Sequence, residues 1–197
     1  MQKINTHFKG YDIYRADNIE TACQWAEKFI DVIKPLRLNS GRTAVSFDID
    51  DTLIDTKNSD TIQPVENLYS MSEKLGCNNV VITARPERST KWSTNQLANL
   101  HGSPPMRLYH MPNRFLQSGQ IEQYKHLRRT EVERVLGQEI LLNIGDQWTD
   151  IFGSRSHIER ARGLNSDATY VILPKSTKNR RVLRSNVSIK LPQRPQY

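Results

Sequence analysis

Cysteine is scarce. Cys23 and Cys77 are the only two in 197 residues. They are too few for a disulfide framework and stand in no metal-ligand spacing, so free buried thiols in a reducing compartment are expected. Long apolar runs are missing as well. None approaches the roughly 20 residues that span a bilayer, and residues 1–7 lack the hydrophobic region of a signal peptide. An intracellular, cytoplasmic protein without membrane contact is expected. There is no internal repeat or low-complexity run, and 37% hydrophobic with 25% charged residues is the balance of an ordinary globular domain. Acid is absent from one end. Residues 174–197 hold Lys175, Lys178, Arg180, Arg181, Arg184, Lys190 and Arg194 without one Asp or Glu, while residues 1–173 set 21 bases against 21 acids. The net charge of +7 therefore sits in that segment. It reads as a solvated tail, or as an electrostatic contact for nucleic acid or another polyanion.

What is present is concentrated in residues 43–53. Thr43 to Phe47 are apolar or β-favouring and read as a short buried strand. That strand runs into Asp48, Ile49, Asp50 and Asp51. Three carboxylates in four residues repel one another and lose hydration, and a divalent cation relieves the repulsion. The alternative is an acidic turn or helix N-cap, positions that Asp and Thr favour.

The rest of the chain alternates. Residues 1–16 read as a strap carrying Phe8, Tyr11, Ile13 and Tyr14. Asp17 and Glu20 suggest a capping box for a helix whose face is Ile19, Ala22, Cys23, Ala26, Phe29, Ile30 and Ile33, closed by Pro35. Pro64 opens a second helix and Gly76 ends it. Further strands are predicted at 79–83, 106–110, 139–144 and 169–173, and helices over 86–101, 119–136 and from about Asp150. This spacing predicts an α/β fold, a Rossmann-like, mainly parallel sheet covered by helices on both faces. The expected division is an N-terminal strap and helix over 1–39, a catalytic domain over 40–173 and a basic tail over 174–197.

In open parallel sheets, ligands bind beyond the carboxyl ends of the strands. Three strands here end in polar groups: Asp48 with Asp50, Thr83, and Asp146. Asp48 is the first residue past its strand and is placed as a nucleophile that attacks phosphorus to give an aspartyl-phosphate. Asp50 is placed to protonate the leaving oxygen and then to deprotonate the attacking water. Asp146 supplies a further metal carboxylate, with Asp150 one helical turn on in support. Oxygen-only ligands point to Mg²⁺ rather than zinc. Thr83 offers a hydroxyl, and Lys125 a point charge, to a phosphoryl group. Arg85 reads either as a phosphate ligand or as one half of a surface salt bridge. Trp148 reads as packing, and His126 is the one histidine beside a candidate site residue. Singly, each of these has an ordinary structural reading; together, and in this order, they read as a reaction centre.

These motifs resemble the haloacid dehalogenase-like (HAD) phosphohydrolase superfamily. Residues 47–53 look like its first motif, 81–87 are similar to its second, Lys125 fits the third and 145–150 the fourth. Within the superfamily the chain looks most like the class B and plant acid phosphatase group, which includes vegetative storage proteins. The resemblance implies Mg²⁺ held by Asp48, the main-chain oxygen of Asp50, and Asp146. Ala84 stands where these enzymes usually have Gly, and His126 where Ser is common. The distances from Thr52 to Thr83 and from Thr83 to Lys125 leave no room for a large cap domain, so an open site is expected. An Mg²⁺-dependent phosphomonoesterase follows, acting on a phosphorylated small molecule or a nucleotide, or on nucleic-acid ends recruited by the basic tail. The alternatives are a non-catalytic storage or binding protein on the same fold and a phosphotransferase. The oligomeric state is left open, a homodimer included.

Overall fold

The computed structural model describes residues 1–4, 8, 10–36, 42–175 and 187–193. One sheet of eight strands runs through it: β1 (Gln2–Ile4), β2 (Tyr11–Ala16), β3 (Thr43–Phe47), β4 (Asn78–Pro86), β5 (Arg107–Met111), β6 (Glu139–Gly145), β7 (Thr169–Pro174) and β8 (Val187–Lys190). Their spatial order is β1-β2-β7-β8-β6-β3-β4-β5. From β8 to β5 all neighbours are parallel, while β1, β2 and β7 add an antiparallel flank. The helices are α1 (Ile19–Ile33), α2 (Gln63–Lys74), α3 (Thr90–Leu97), α4 (Asn113–Gln117), α5 (Ile121–Arg134), α6 (Trp148–Ile151) and α7 (Arg155–Ala161).

Alternation within the central strands explains why helices cover both faces. In β4, Val81 packs with α1 and α2 residues such as Ala26 and Leu68. Its neighbours Val80 and Ile82 point the other way, to Phe115 of α4 and Tyr124 and Val132 of α5. All five residues of β3 are buried; sealing Phe47 alone contributes about 1.5–3 kcal/mol. A third cluster joins β2 and β7 to α6 and α7 through Ile13, Tyr170, Phe152 and Ile158.

Several expectations shift in detail. The cap of α1 is Asn18, whose side chain accepts from Thr21 N at 2.8 Å, not Asp17. Its backbone is extended while the Asn oxygen satisfies one of the orphan first-turn donors. Pro64 does open α2, and Gly76 takes the left-handed conformation (φ +78°) that turns the chain into β4. Residues 86–101 are not one helix: a short 3-10 turn, Glu87–Ser89, precedes α3. Within the expected strap, Gln2–Ile4 and Tyr11–Ala16 are paired strands that extend the sheet.

The expected tail is the main correction. Val187–Lys190 is an inner strand, paired parallel to β6 and antiparallel to β7, and all four of its residues are buried. Lys190 is among them, with Nζ donating to Ser166 O at 2.6 Å and lying over the Trp148 ring at 5.3 Å. Burial pushes this ammonium down to about 8, against the pull of Asp146 and Asp167. Lys178, Arg180, Arg181, Arg184 and Arg194 lie outside the described residues. No helix among the described residues is long and apolar enough to cross a membrane.

Candidate active site

The sheet order places β3 between β6 and β4. Phe47 is level with Ile144 of β6 and with Val81 of β4. Asp48, one residue on, therefore emerges beside Asp146 and Thr83, each two residues past its partner in register. The three strand ends singled out in the sequence are adjacent.

The acidic stretch leaves β3 as a tight turn. Asp48 N donates to Ile144 O at 3.0 Å, and the amides of Thr52, Leu53 and Ile54 all donate to Ile49 O. Asp51 has a left-handed backbone (φ +51°), which Asp tolerates better than most residues. The turn sends its three carboxylates to different places. Asp48 points inward and is 5% exposed. Asp50 turns to Arg85, which donates from Nε to both carboxylate oxygens at 3.0 Å and from Nη2 to Oδ1 at 2.6 Å. Asp51 accepts from Thr56 N and Oγ1 at 3.1 and 2.7 Å and closes the following loop.

Lys125 comes from the first turns of α5 and is buried against this group. Its Nζ lies 3.1 Å from Asp48 Oδ2 and is hydrogen-bonded to Asp150 Oδ1. Burial alone would lower the Lys125 ammonium, but Asp150 and Asp48 more than offset it and hold it protonated. Asp48 and Asp146 are both shifted up, first by burial and then by the surrounding carboxylates; Lys125 opposes this only in part. Asp146 N donates to Thr52 Oγ1 at 3.1 Å, and Gln147 Nε2 donates to Asp146 Oδ2 at 2.6 Å. One oxygen each of Asp48, Asp146 and Asp150 lies within 4.8 Å of the others. Asp48 Oδ1 is buried without a hydrogen-bond partner among the described residues.

The residues thus gather, with two differences from expectation, at Asp150 and at Arg85. Asp150 belongs to the carboxylate group itself as well as holding Lys125. The Asp50 carboxylate does not, so its main-chain oxygen is what it has to offer a cation. Arg85 is neither a free phosphate ligand nor a surface partner: it is 6% exposed and faces Asp50. Thr83 is fully buried and its Oγ1 accepts from Arg85 N at 3.1 Å, which leaves its own proton to donate. A cleft of about 710 Å³ opens over Asp48, Lys125 and Asp146, with Thr56, Lys57 and Arg162 on its walls. Between β3 and β4 the chain adds only the turn, the loop after it and α2, so no cap domain is inserted there.

Two supporting residues escape sequence reading. Gly145 packs so closely on Asp150 that an added Cβ would overlap the carboxyl group. Buried Arg129 donates from Nη1 to Asp150 O at 2.8 Å and from Nη2 to Thr149 O at 3.2 Å, fixing α6. Its signal was present, since it lies four residues after Lys125 and so on the same helix face.

The HAD superfamily, subfamily IIIB (acid phosphatase), matches residues 53–192, well over half of the chain. The chain belongs to this family. It is therefore a phosphoric monoester hydrolase. The match takes in Thr83, Lys125, Asp146 and Asp150 and begins just past Asp48 and Asp50; the strand register, not the match, joins those two to the rest. It also runs through β8, in agreement with the place of that strand in the sheet. No individually curated protein matches the chain.

Proposed function

We propose that this acid phosphatase is Mg²⁺-dependent and works through an aspartyl-phosphate on Asp48. The observation that carries the reading is the state of Asp48: buried at the end of the central strand, Oδ2 on Lys125, Oδ1 without a partner among the described residues, beneath the cleft. Asp48 attacks the phosphorus, the bond from phosphorus to the leaving oxygen breaks, and that oxygen takes a proton from the Asp50 carboxyl group. Asp50 then accepts a proton from water as the water oxygen attacks phosphorus, releasing inorganic phosphate and restoring the Asp48 carboxylate. Lys125, and the Thr83 hydroxyl, stabilise charge on the phosphoryl oxygens.

The residues fit a cation. Three carboxylates lie buried together, only two of them paired with the Lys125 ammonium, and Asp48 Oδ1 has no hydrogen-bond partner among the described residues. Asp48 and Asp146, with the main-chain oxygen of Asp50, would hold Mg²⁺, with Asp150 beside them; an all-oxygen set suits that ion. When bound, it offsets the repulsion between Asp48 and an anionic substrate.

Asp48→Asn should abolish phosphate release from para-nitrophenyl phosphate while the unfolding temperature stays near that of the parent. Turnover close to the parent rate would overturn the reading. Phosphate passed to an added alcohol in place of water would reclassify the enzyme as a phosphotransferase on the same residues.

The substrate class we favour is a phosphorylated small molecule or nucleotide, which a cleft of about 710 Å³ admits. Nucleic-acid ends are a second reading, supported by the basic excess after residue 174. Deleting 174–197 would remove β8 from the sheet, so the usable test is neutralising Lys178, Arg180, Arg181 and Arg184 together. Weaker polynucleotide binding with a shallower salt dependence supports that reading; unchanged binding removes its basis.

A further inference from the structure

Arg85 is more elaborately held than its neighbours require. Its Nη1 donates to Gln96 Oε1 at 2.6 Å and to Ser93 Oγ at 3.2 Å, and its guanidinium carbon lies 4.0 Å from the centre of the Trp92 ring. All three props come from α3, which carries no residue of the reaction centre. On its other side the guanidinium meets Asp50, whose side chain is 38% exposed and has no other partner for its carboxylate among the described residues. Four of the five N–H groups an arginine carries are thereby engaged. No fork is left over for a substrate phosphate.

We propose that Arg85 is a positioning residue: braced by α3, it aims the Asp50 carboxyl group at the leaving-group oxygen. This rests on the reading of Asp50 as the proton donor. The contact is lopsided. Oδ1 receives Nη2 at 2.6 Å and Nε at 3.0 Å, whereas Oδ2 only shares Nε at 3.0 Å. Oδ1 is the anchored oxygen, and Oδ2 is the one left to pass a proton to the leaving oxygen and later to take one from water. Without the brace, Asp50 is a partly exposed side chain free to choose among rotamers, and misalignment of a reacting group by about 1 Å can cost on the order of 10²-fold in rate.

A positioned acid matters most when the departing oxygen is basic, so the readout is leaving-group selectivity. Arg85→Lys keeps the charge but cannot fork; Gln96→Leu leaves Arg85 in place and removes its shortest prop. Both are compared with the parent on para-nitrophenyl phosphate and on glycerol phosphate, with kcat and KM separated and unfolding temperatures recorded. Each variant is expected to lose about tenfold or more in kcat on the alkyl ester beyond its loss on the aryl ester, with Arg85→Lys the larger. Equal losses on both esters, or no loss on either, overturn the proposal. Should Arg85→Lys fail to fold, Gln96→Leu decides alone. Asp50→Asn provides the reference. If it shows the substrate split and the Arg85 and Gln96 variants do not, the proposal fails alone; if it too loses equally on both esters, the donor role of Asp50 fails and takes the proposal with it.

Discussion

The Lys125 ammonium lies 3.1 Å from Asp48 Oδ2, and both side chains are buried at the floor of the cleft. Such a pair is held less by its own attraction than by the cost of leaving either partner alone. Removing one member of a buried ion pair typically costs about 3–5 kcal/mol. Lys125→Met would leave Asp48 and Asp150 buried beside Asp146 without the ammonium that both now contact. Urea unfolding without metal should therefore show a loss of about that size. Turnover of an aryl phosphate should also fall at least about 10²-fold, since the charge facing the phosphoryl oxygens is gone. A variant as stable and as active as the parent would mean that the pair has neither role.

Metal should act on the fold as well as on the reaction. A ligand that binds only the native state stabilises it by about 2.7 kcal/mol at a hundred times its Kd. The unfolding temperature should rise with Mg²⁺ and fall back with a chelator. Asp146→Asn should lose most of that rise. Asp50→Asn should keep it, because the Asp50 carboxylate faces Arg85 and is outside the carboxylate group. Equal responses in the two variants would show that the carboxylates are not sorted in solution as they are in this structure.

How much of this was legible depended on the range of the interaction. Asp48, Thr83 and Asp146 were readable because a strand end is a local event, and parallel strands carry their ends to one edge. Lys190 was not. A lysine in a basic stretch reads as solvated, since buried lysines are rare, and a four-residue strand is too short to show alternation against that background. What buries it is β6 and β7 on either side, with Ser166 O to accept its proton. Arg85 was ambiguous for a similar reason: its partner Asp50 is 35 residues away in sequence. Asn18 in place of Asp17 is a different miss. Both residue types can cap, and residue type alone does not choose between two neighbours.

Gly145 offers a test of close approach. A Cβ there would overlap the Asp150 carboxyl group, the same group that receives Lys125 and the amide of Gln147. Gly145→Ala must displace Asp150, and overpacking of this kind typically costs about 1–3 kcal/mol. Thermal unfolding should register that cost. Activity should fall further than stability explains, because Lys125 loses its second carboxylate. A fully active Gly145→Ala would mean that Asp150 can move without consequence for the site.

Glu66 sets an acid limit on the fold that is separate from the chemistry. It is buried at the start of α2 and accepts from His101 N at 2.8 Å, Thr61 Oγ1 at 2.8 Å and Gln63 Nε2 at 3.1 Å, with His101 Nδ1 also at 2.8 Å. It thus ties the loop after α3 to the loop that follows the acidic turn. Burial alone would raise this carboxyl group, but the hydrogen bonds from His101 N and Thr61 outweigh it and hold the group below its ordinary value of 4.5. A depressed acid stabilises the fold when ionised. Its contribution is complete above 4.5 and is lost as pH falls through the lower, folded-state value. The stability gap between the parent and Glu66→Gln should accordingly be widest near neutrality and shrink on acidification below that point. Urea midpoints taken from about pH 7 to about pH 3 would measure it; a gap that stays constant over that range would place the acid sensitivity of the protein elsewhere.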